Sequence, residues 1–570
     1  MKYRWTIAPA QPLLTEPLAA QSKISRLLAQ CLVNRGYTEP PAIEKFLSPR
    51  LKNLADPFRL PNMAAAIDRL FLARDRQEPM VIFGDYDVDG VTSTTLLLEV
   101  LRRLGWQVEA YLPHRMDEGY GLSRDGVENC LAKYPVKLLL AVDCGSTAVE
   151  SIQWLKDRGV DVIVLDHHQV SDPAPSAVAL VNPQLNHEFT ELCSAGLAFK
   201  LAHALVKRGR ETGLPGAAEF DLRPLLDLVA LGTIADLVPL TGENRILVSS
   251  GLEKLSTTAR PGLVALKAVA GSPEDLGVYD VGFQLAPRLN AAGRLESAAE
   301  ALHLLLAPDQ KTALPLAQNL DARNRERQNI ERSIVDEVIG RVRAKFDPKE
   351  HFVIVEGQLL WHIGVVGIVA SRVLSEFYRP TIIIGGEGGE WRGSGRSITG
   401  FDLAASLREC HDLLLRHGGH AMAAGLSIVP DKIDALRERL NHLARTTIKP
   451  DDFKPPLRLD AEARLGECSL ELLRDLESLE PTGQGNPAVQ FFAHHLRQSR
   501  PALRMGTEKQ HAKMWVTDGT ATLETVWWNA GQSSLPDGPF DLAFAPQIND
   551  YNGTRTVQLK LLDWRPADAL

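Results

Sequence analysis

MVIFGDYDVDGVTS, from Met80 to Ser93, begins with the apolar run Met80 to Phe83, bounded by Gly84. A run that short, closed by glycine, predicts a buried strand. Three carboxylates follow at alternate positions, Asp85, Asp87 and Asp89, then Gly90, Thr92, Ser93 and an apolar, helix-like run from Thr95 to Leu104. The acids therefore stand where a strand turns into a helix, the place where open α/β sheets bind ligands. Three acids so close repel one another unless protons or a cation offset the charge. A divalent metal with oxygen ligands is the simplest resolution. The plainer alternative is a solvated acidic turn that caps the helix.

Outward from this stretch a rhythm appears. Strand candidates recur at Met80–Phe83, Val108–Leu112, Leu138–Val142, Val160–Leu165 and Ala177–Val181, with helix-length segments such as Ala148–Asp157 between most of them. That alternation predicts a parallel α/β sheet. After the third strand comes Asp143-Cys144-Gly145-Ser146, and after the fourth Asp166-His167-His168. Three strands thus deliver Asp or His at their C-terminal ends, which converge along one sheet edge in doubly wound folds. Asp143 alone could simply cap a helix. Two histidines directly after an Asp are harder to explain as filler and read as metal-competent residues. Further on, LLDLVALGTIADLVPL (Leu225 to Leu240) carries Asp227 and Asp236 in apolar surroundings. Acids are almost never buried without a partner, and a metal would supply one to Asp236.

The whole chain has 570 residues, 45% hydrophobic and 24% charged, with a net charge of −8. Length predicts about three or four domains. The negative balance does not advertise nucleic acid, although a local basic groove is compatible with it. The six cysteines form no C-x-x-C pair, which argues against zinc ribbons and disulfide frameworks and for free thiols in a reducing cytosol. No run approaches a membrane span, and the expected location is cytoplasmic.

GDYDVDG (Gly84–Gly90), AVDCG (Ala141–Gly145), LDHH (Leu165–His168) and ALGTIADLVPL (Ala230–Leu240) together resemble the four metal-site motifs of the DHH phosphoesterase superfamily. Within it, the chain is similar over essentially its full length to the RecJ family of bacterial single-strand-specific 5′→3′ DNA exonucleases. QLAPRLNAAGRL (Gln284–Leu295), with Arg288, Asn290 and Arg294, resembles a segment lining that family's active-site cleft; a loop with helix-capping arginines is the alternative. Ile330, Ile334, Val338 and Val342 mark a connector helix over Pro315–Lys345, with Arg323, Arg325 and Arg327 as its exceptions to a merely solvated face. Strands at Phe352–Val355 and Thr381–Ile384 predict a second α/β unit. Its islands Trp361–Gly367, Trp391–Ser397 and His417–His420 resemble the DHH-associated domain, where glycines, Ser394 and Arg396 can donate to a phosphate. Short β-like runs at Lys513–Thr517, Thr522–Trp528, Phe540–Ala545 and Thr556–Leu562, with a hairpin at Asn552-Gly553, predict a small barrel of the OB type, which binds single strands.

The expected architecture is α/β. A helical preface (residues 1–78) precedes a parallel-sheet DHH catalytic domain (79–300) and a connector helix region (301–346). A DHH-associated substrate-binding domain (347–449) and an OB-like nucleic-acid-binding β-barrel (450–570) follow. The resemblance implies two divalent ions, Mn²⁺ or Mg²⁺, about 3.5–4 Å apart, which generate the attacking hydroxide and neutralise the transition state. Asp87, Asp89, Asp143, His167 and Asp236 would hold them, with Asp143 bridging and Asp85 either a ligand or orienting one. His168 would contact the scissile phosphate as a donor. Arg115, Ser394, Gly395 and Arg396 would take the terminal 5′-phosphate, with Arg288, Asn290 and His420 nearby and Tyr120 stacking on a base. The products would be 5′ mononucleotides, in DNA repair and recombination. The implied partners are single-stranded DNA, single-strand-binding protein and a RecQ-type helicase, the protein itself being a monomer. Two rivals are a DHH phosphoesterase for short oligonucleotides or cyclic dinucleotides, and a catalytically idle DNA-binding scaffold. The C-terminal barrel favours a polymer over the first, and the full set of acids and histidines favours catalysis over the second.

Overall fold

The computed structural model describes residues 2–114, 118–119, 121–295, 297–531 and 533–567. The chain forms two compact units, one from residues 49–328 and 481–487, the other from residues 1–48, 329–480 and 488–570. The segment read as one helical preface is thus shared between them. It is helical as expected, with helices at Pro12–Ser22, Arg26–Asn34, Pro40–Leu47 and Met63–Asp75, and it also holds a short strand, β1 (Arg4–Ile7).

The unit of residues 49–328 is built on five parallel strands: β2 (Met80–Gly84), β3 (Val108–Tyr111), β4 (Leu138–Val142), β5 (Asp161–Leu165) and β6 (Ala179–Val181), in the order β3-β2-β4-β5-β6. β2 and β4 are buried along their whole length, as strands covered on both faces must be, which is why they read as unbroken apolar runs. The winding reverses between β2 and β4, so the crevice that receives ligands opens at their C-terminal ends. Register aligns those ends: Gly84 lies opposite Val142, and Val142 opposite Leu165. Asp85, Asp143 and Asp166 therefore stand side by side, one beyond each strand. Helices Val88–Arg103, Ser194–Thr212 and Leu226–Ala235 cover the sheet and share one core through Leu97, Leu101, Leu197, Leu201, Leu228 and Leu231. Each such leucine contributes about 1.5–3 kcal/mol by leaving water.

The helix Gln310–Lys345 runs through the expected connector. Ile334, Val338 and Val342 of its apolar stripe pack against Val366, Val369 and Val373 of the helix Val366–Phe377. Arg323, Arg325 and Arg327 are engaged locally, with Glu300, Asp321 and Asn324.

In the other unit, β7 (Ile354–Leu359), β8 (Thr381–Gly386), β9 (Trp391–Arg396), β10 (Leu414–His420) and β11 (Ala423–Ile428) lie in the order β10-β11-β9-β8-β7. β7 and β8 are parallel and the other pairs antiparallel. Two of the three glycine-rich islands are therefore strands. Gly393 and Gly395 point into the packed face, where a Cβ would meet Ile384 at 2.9 Å and Leu403 at 2.5 Å. Close backbone approach, and not loop freedom, explains these glycines.

β12 (Pro456–Leu459) pairs in parallel with β1. Beyond it, β13 (Ala461–Glu462), β14 (Phe491–Met505), β15 (His511–Thr517), β16 (Thr522–Trp527), β17 (Phe540–Tyr551) and β18 (Thr554–Pro566) follow in the order β13-β14-β15-β16-β18-β17. β14 also pairs with β17, closing a barrel around Phe491, Met514, Phe540, Phe544 and Leu559. The four expected strands are all present, and β14 is an addition. Asn552 and Gly553 join β17 to β18 with φ of 53° and 75°, the two left-handed residues a tight hairpin requires. No helix of the described residues is long and apolar enough to cross a membrane.

Candidate metal centre and substrate-binding residues

At the end of β2, Asp85 is buried and Asp87 opens the helix Val88–Arg103. Asp87 does cap that helix, accepting the Gly90 N–H at 3.1 Å through Oδ1. Capping and ligation are not exclusive, since a carboxylate has a second oxygen and further lone pairs to offer. Asp89 is 1% exposed. It accepts the N–H groups of Ser194 at 2.7 Å and Ala195 at 2.8 Å, the start of the helix Ser194–Thr212, whose N-terminal end favours an anion. Asp143, beyond β4, has φ of 63°, a costly conformation for a residue with a Cβ and one found at functional sites. Ser194 Oγ donates to its Oδ1 at 2.9 Å.

Asp166 organises the next strand end. Its Oδ1 accepts the N–H of His167 at 2.8 Å and of His168 at 3.2 Å, and lies 2.8 Å from His168 Nδ1; its Oδ2 accepts Ser146 N–H at 3.0 Å. Asn182, fully buried, donates to the His168 carbonyl and to Ser146 Oγ, each at 2.8 Å. His167 is thereby turned inward. Its Nε2 lies 3.5 Å from both Asp143 Oδ1 and Asp236 Oδ2. Asp236 ends the helix Leu226–Ala235. Asp227, at the start of that helix, is satisfied elsewhere, by Arg260 and Thr258.

Ligand-capable atoms thus fall into overlapping groups: Asp85, Asp87 and Asp143; Asp89, His167 and Asp236; and Asp143, Asp166, His167 and His168, each group within 4.8 Å. Without a cation the arrangement is strained electrostatically. Burial first, then the Asp87 charge, pushes Asp89 up to about 7. Burial and the charges of Asp89 and Asp87 push Asp236 up to about 8, and burial with its acidic neighbours drives Asp143 well above the carboxylate range. Burial and the neighbouring His168 lower His167 to about 4, which keeps it a neutral donor of an electron pair. His168 goes the other way, raised to about 9 by its hydrogen bond to Asp166. Burial opposes ionisation of Asp166, but bonds from His168 and Ser146 outweigh it and hold that acid below the usual range. His167 Nε2 and Asp236 Oδ2 face each other buried, with no hydrogen bond between them or to any other described group. Unpaired buried atoms of this kind fit ligands of an ion. Oxygen donors with a single imidazole suit Mg²⁺ or Mn²⁺.

The segment Gln284–Leu295 is mostly helix, Ala286–Leu295, and not a loop. It comes against the acidic turn: a Cβ at Gly293 would lie 2.8 Å from the Tyr86 carbonyl oxygen. Asn290 is half-buried on this helix. Arg288 is already paired with Asp321 at 2.9 Å and donates to the Gln284 carbonyl at 2.6 Å. Arg115 and Tyr120 lie outside the described residues. Glu118, which is described, is buried and accepts from Tyr111 Oη, Asn129 and the His114 N–H.

In the other unit, Ser394 and Arg396 share one face of β9 while Gly395 faces the opposite side. Arg396 Nη1 donates to Ser394 Oγ at 3.0 Å and to the Gly395 carbonyl at 2.9 Å. Burial lowers its pKa, and no carboxylate among the described residues pairs with it, so its charge is open to an anion. Arg396 stands on one rung with Ala423 of β11, and Ala423 with His420 of β10. The exposed His420 is therefore on the same face, about 10 Å away across two strand spacings.

Sequence reading passed over the roles of Asp166, Asn182, Ser194 and Glu118. For Asp166 the signal was its place directly before two histidines. Ser194 and Asn182 offered none, because what they hold lies on other elements.

Comparison with known proteins gives three family matches: the DHH family, N-terminal domain over residues 79–233, the DHHA1 domain over 350–446 and the RecJ OB domain over 459–563. The single-stranded-DNA-specific exonuclease RecJ of Bacillus subtilis is 38% identical over 99% of this chain and 71% of its own length. That of Dickeya dadantii is 36% identical over 94% and 95%. Among solved structures, RecJ in complex with Mn²⁺ from Thermus thermophilus is 30% identical, covering 100% of this chain and 80% of that one, with a TM-score of 0.85. An exonuclease RecJ bound to manganese is 35% identical, covering 69% and 96%, with a TM-score of 0.59.

Proposed function

The chain belongs to the RecJ family, and from that premise we propose that it degrades single-stranded DNA from the 5′ end to 5′ mononucleotides by metal-dependent phosphodiester hydrolysis. The observation that carries this is the convergence of Asp143 Oδ1 and Asp236 Oδ2 on the buried His167 Nε2, each 3.5 Å from it and neither hydrogen-bonded to it. Asp87, Asp89, Asp143, His167 and Asp236 would hold two divalent ions, Mn²⁺ or Mg²⁺, with Asp85 as a further ligand or orienting acid. Such a pair activates water and neutralises charge on the phosphoryl group when bound.

The chain's own groups do the rest. Asp166 fixes the ring of His168 and favours its imidazolium, which can donate to a non-bridging phosphate oxygen as negative charge builds there. Asp89 and Asp143, locked by Ser194 and Ala195, keep the carboxylates in place while the substrate changes. Arg396 with Ser394 supplies an anion acceptor suited to a terminal phosphate, with Gly395 setting their strand; His420, Arg288, Asn290, Arg115 and Tyr120 complete the substrate set on this reading. Backbone and stacking contacts of this kind give little sequence preference.

The reading further assigns unwinding to a separate helicase of the RecQ type, with single-strand-binding protein on the strand, as expected of the family; the sequence itself holds no G-x-x-x-x-G-K-[ST] run. The six free, buried cysteines fit a reducing cytoplasm, and the same reading takes the protein to be a monomer acting in DNA repair and recombination. The test is a digestion time course with Mn²⁺ on strands labelled at either end, a duplex and a dinucleotide, with Asp143→Ala as control. Immediate release of 5′-labelled mononucleotide from the single strand alone, lost in the control, is expected. Cleavage of the dinucleotide with the long strand left intact would overturn it.

A further inference from the structure

On the single-strand exonuclease reading, we infer that Tyr279 and Phe283 form a stacking platform for a base of the strand, downstream of the metal centre. The two rings stand in solvent, 67% and 69% exposed. They are stacked on each other, with centroids 4.8 Å apart and planes at 25°. Single exposed apolar residues are normal, but a paired aromatic surface is not. The segment beneath is firmly anchored, since Val281 and Leu285 are fully buried between and beside them.

Three features tie this surface to the reaction. First, Phe283 sits in a π-helical turn, Val281–Leu285, an irregularity that re-aims side chains and is frequent at functional sites. Second, the same helical segment passes both sides of the acid cluster. A Cβ at Gly282 would lie 3.7 Å from Ile234 Cγ2, two residues before Asp236, and one at Gly293 would lie 2.8 Å from the Tyr86 carbonyl, between Asp85 and Asp87. At about 1.5 Å per residue, Phe283 is about 15 Å along the axis from Gly293. Third, the residue just after Asp236, Leu237, is 75% exposed and held at φ of 59°. Apolar surface thus begins at the metal-ligand candidate and is found again at the aromatic pair.

The occupant is a nucleobase, because this surface adjoins a phosphodiesterase centre and a flat ring accepts any base. Asp280, the nearby acid, is engaged with the Gly277 N–H and with Gln284, so its charge is partly satisfied within the segment.

The experiment compares Phe283→Ala, Tyr279→Ala and Phe283→Trp with the parent protein. The substrates are a long oligonucleotide, the same strand with one abasic nucleotide at each of the first few positions, and a dinucleotide. In the parent, one internal abasic position is expected to raise KM about tenfold, the scale of one base stacked on an aromatic ring. Phe283→Ala should raise KM on the intact strand by a similar factor and become insensitive to that abasic position, with kcat and dinucleotide hydrolysis unchanged. Phe283→Trp should restore both KM and the abasic sensitivity. Parent-like KM in Phe283→Ala, or equal loss on strand and dinucleotide, would overturn the platform. If the parent cleaves only the dinucleotide, the exonuclease reading falls by itself. The platform then stands or falls on whether Phe283→Ala weakens binding of the uncleaved strand, read by fluorescence anisotropy.

Discussion

Two glycine-to-alanine changes, at Gly293 and Gly340, should move stability in opposite directions and only one should touch catalysis. Both residues lie in helices, Ala286–Leu295 and Gln310–Lys345, where alanine is favoured over glycine by about 0.8–1 kcal/mol. At Gly340 a new Cβ meets nothing within 4 Å, so that gain stands whole. At Gly293 the Cβ would lie 2.8 Å from the Tyr86 carbonyl oxygen and 3.5 Å from Tyr86 Cβ and Cδ2. Ordinary contact requires the helix and the acidic turn to part by roughly half an ångström, and overpacking of that kind costs about 1–3 kcal/mol. The net change is a loss of about 0–2 kcal/mol, the difference of those two terms. The turn that must move carries Asp85 and Asp87, and half an ångström is about the tolerance of a preorganised site. Turnover should therefore fall about tenfold or more, given that a 1 Å misplacement can cost roughly a hundredfold. Urea unfolding gives the stabilities, and initial rates on 5′-labelled single strands give turnover. A Gly293→Ala protein as stable as Gly340→Ala and fully active would show that the helix does not bear on the acidic turn.

Three other outcomes follow from the sites. Asp89 and Asp236 titrate near 7 and 8 in the folded metal-free protein against an ordinary 3.8; their penalty is absent below the ordinary value and complete above the folded ones. Thermal stability without metal should fall as pH rises from 5 to about 8.5, and Mn²⁺ should raise the melting temperature more at alkaline than at acid pH; a pH-independent Mn²⁺ effect would contradict this. For His168, raised from 6.5 to about 9, the stabilisation is full below the ordinary value and is lost as pH rises through 9. In the metal-free protein Asp166→Asn should return the His168 titration, followed by NMR, towards 6.5, and an unmoved titration would separate the two residues. Arg396→Ala should erase the preference for a 5′-phosphate over a 5′-hydroxyl end, a factor of roughly ten to a hundred for one charged hydrogen bond, measured as the ratio of kcat/KM; a preserved ratio would place the phosphate elsewhere.

The parallel sheet was legible because its central strands are buried on both faces and need no alternation: Met80–Gly84 and Leu138–Val142 announce themselves as apolar runs. The acids at their ends were legible for the same reason, each following directly on its strand. β9 was not, because Trp391–Arg396 alternates glycine with Ser394 and Arg396, a pattern indistinguishable locally from a loop. Only the collision that Leu403 and Ile384 would make with side chains at Gly395 and Gly393 explains it. β14 was hidden by the polar run Arg497–Arg500 within an otherwise buried start. The pairing of Arg288 with Asp321, on another helix, could not be seen from the segment itself. The same holds for Asp227, whose partner Arg260 comes later in the chain.

The pairing of β1 with β12 has a bearing on synthesis. Arg4 meets Pro456, so the first strand emerges from the ribosome about 450 residues before the strand it pairs with. At about 5–20 residues per second that interval is on the order of half a minute to a minute and a half. Nearly all of the unit of residues 49–328 is translated within it and is free to fold, while the opening segment is held in waiting. The unit carrying the acid cluster is thus finished early, save for residues 481–487, and the one carrying both chain ends is finished last. Nascent chains stalled before residue 456 should expose residues 4–7 to proteolysis, and full-length chains should protect them.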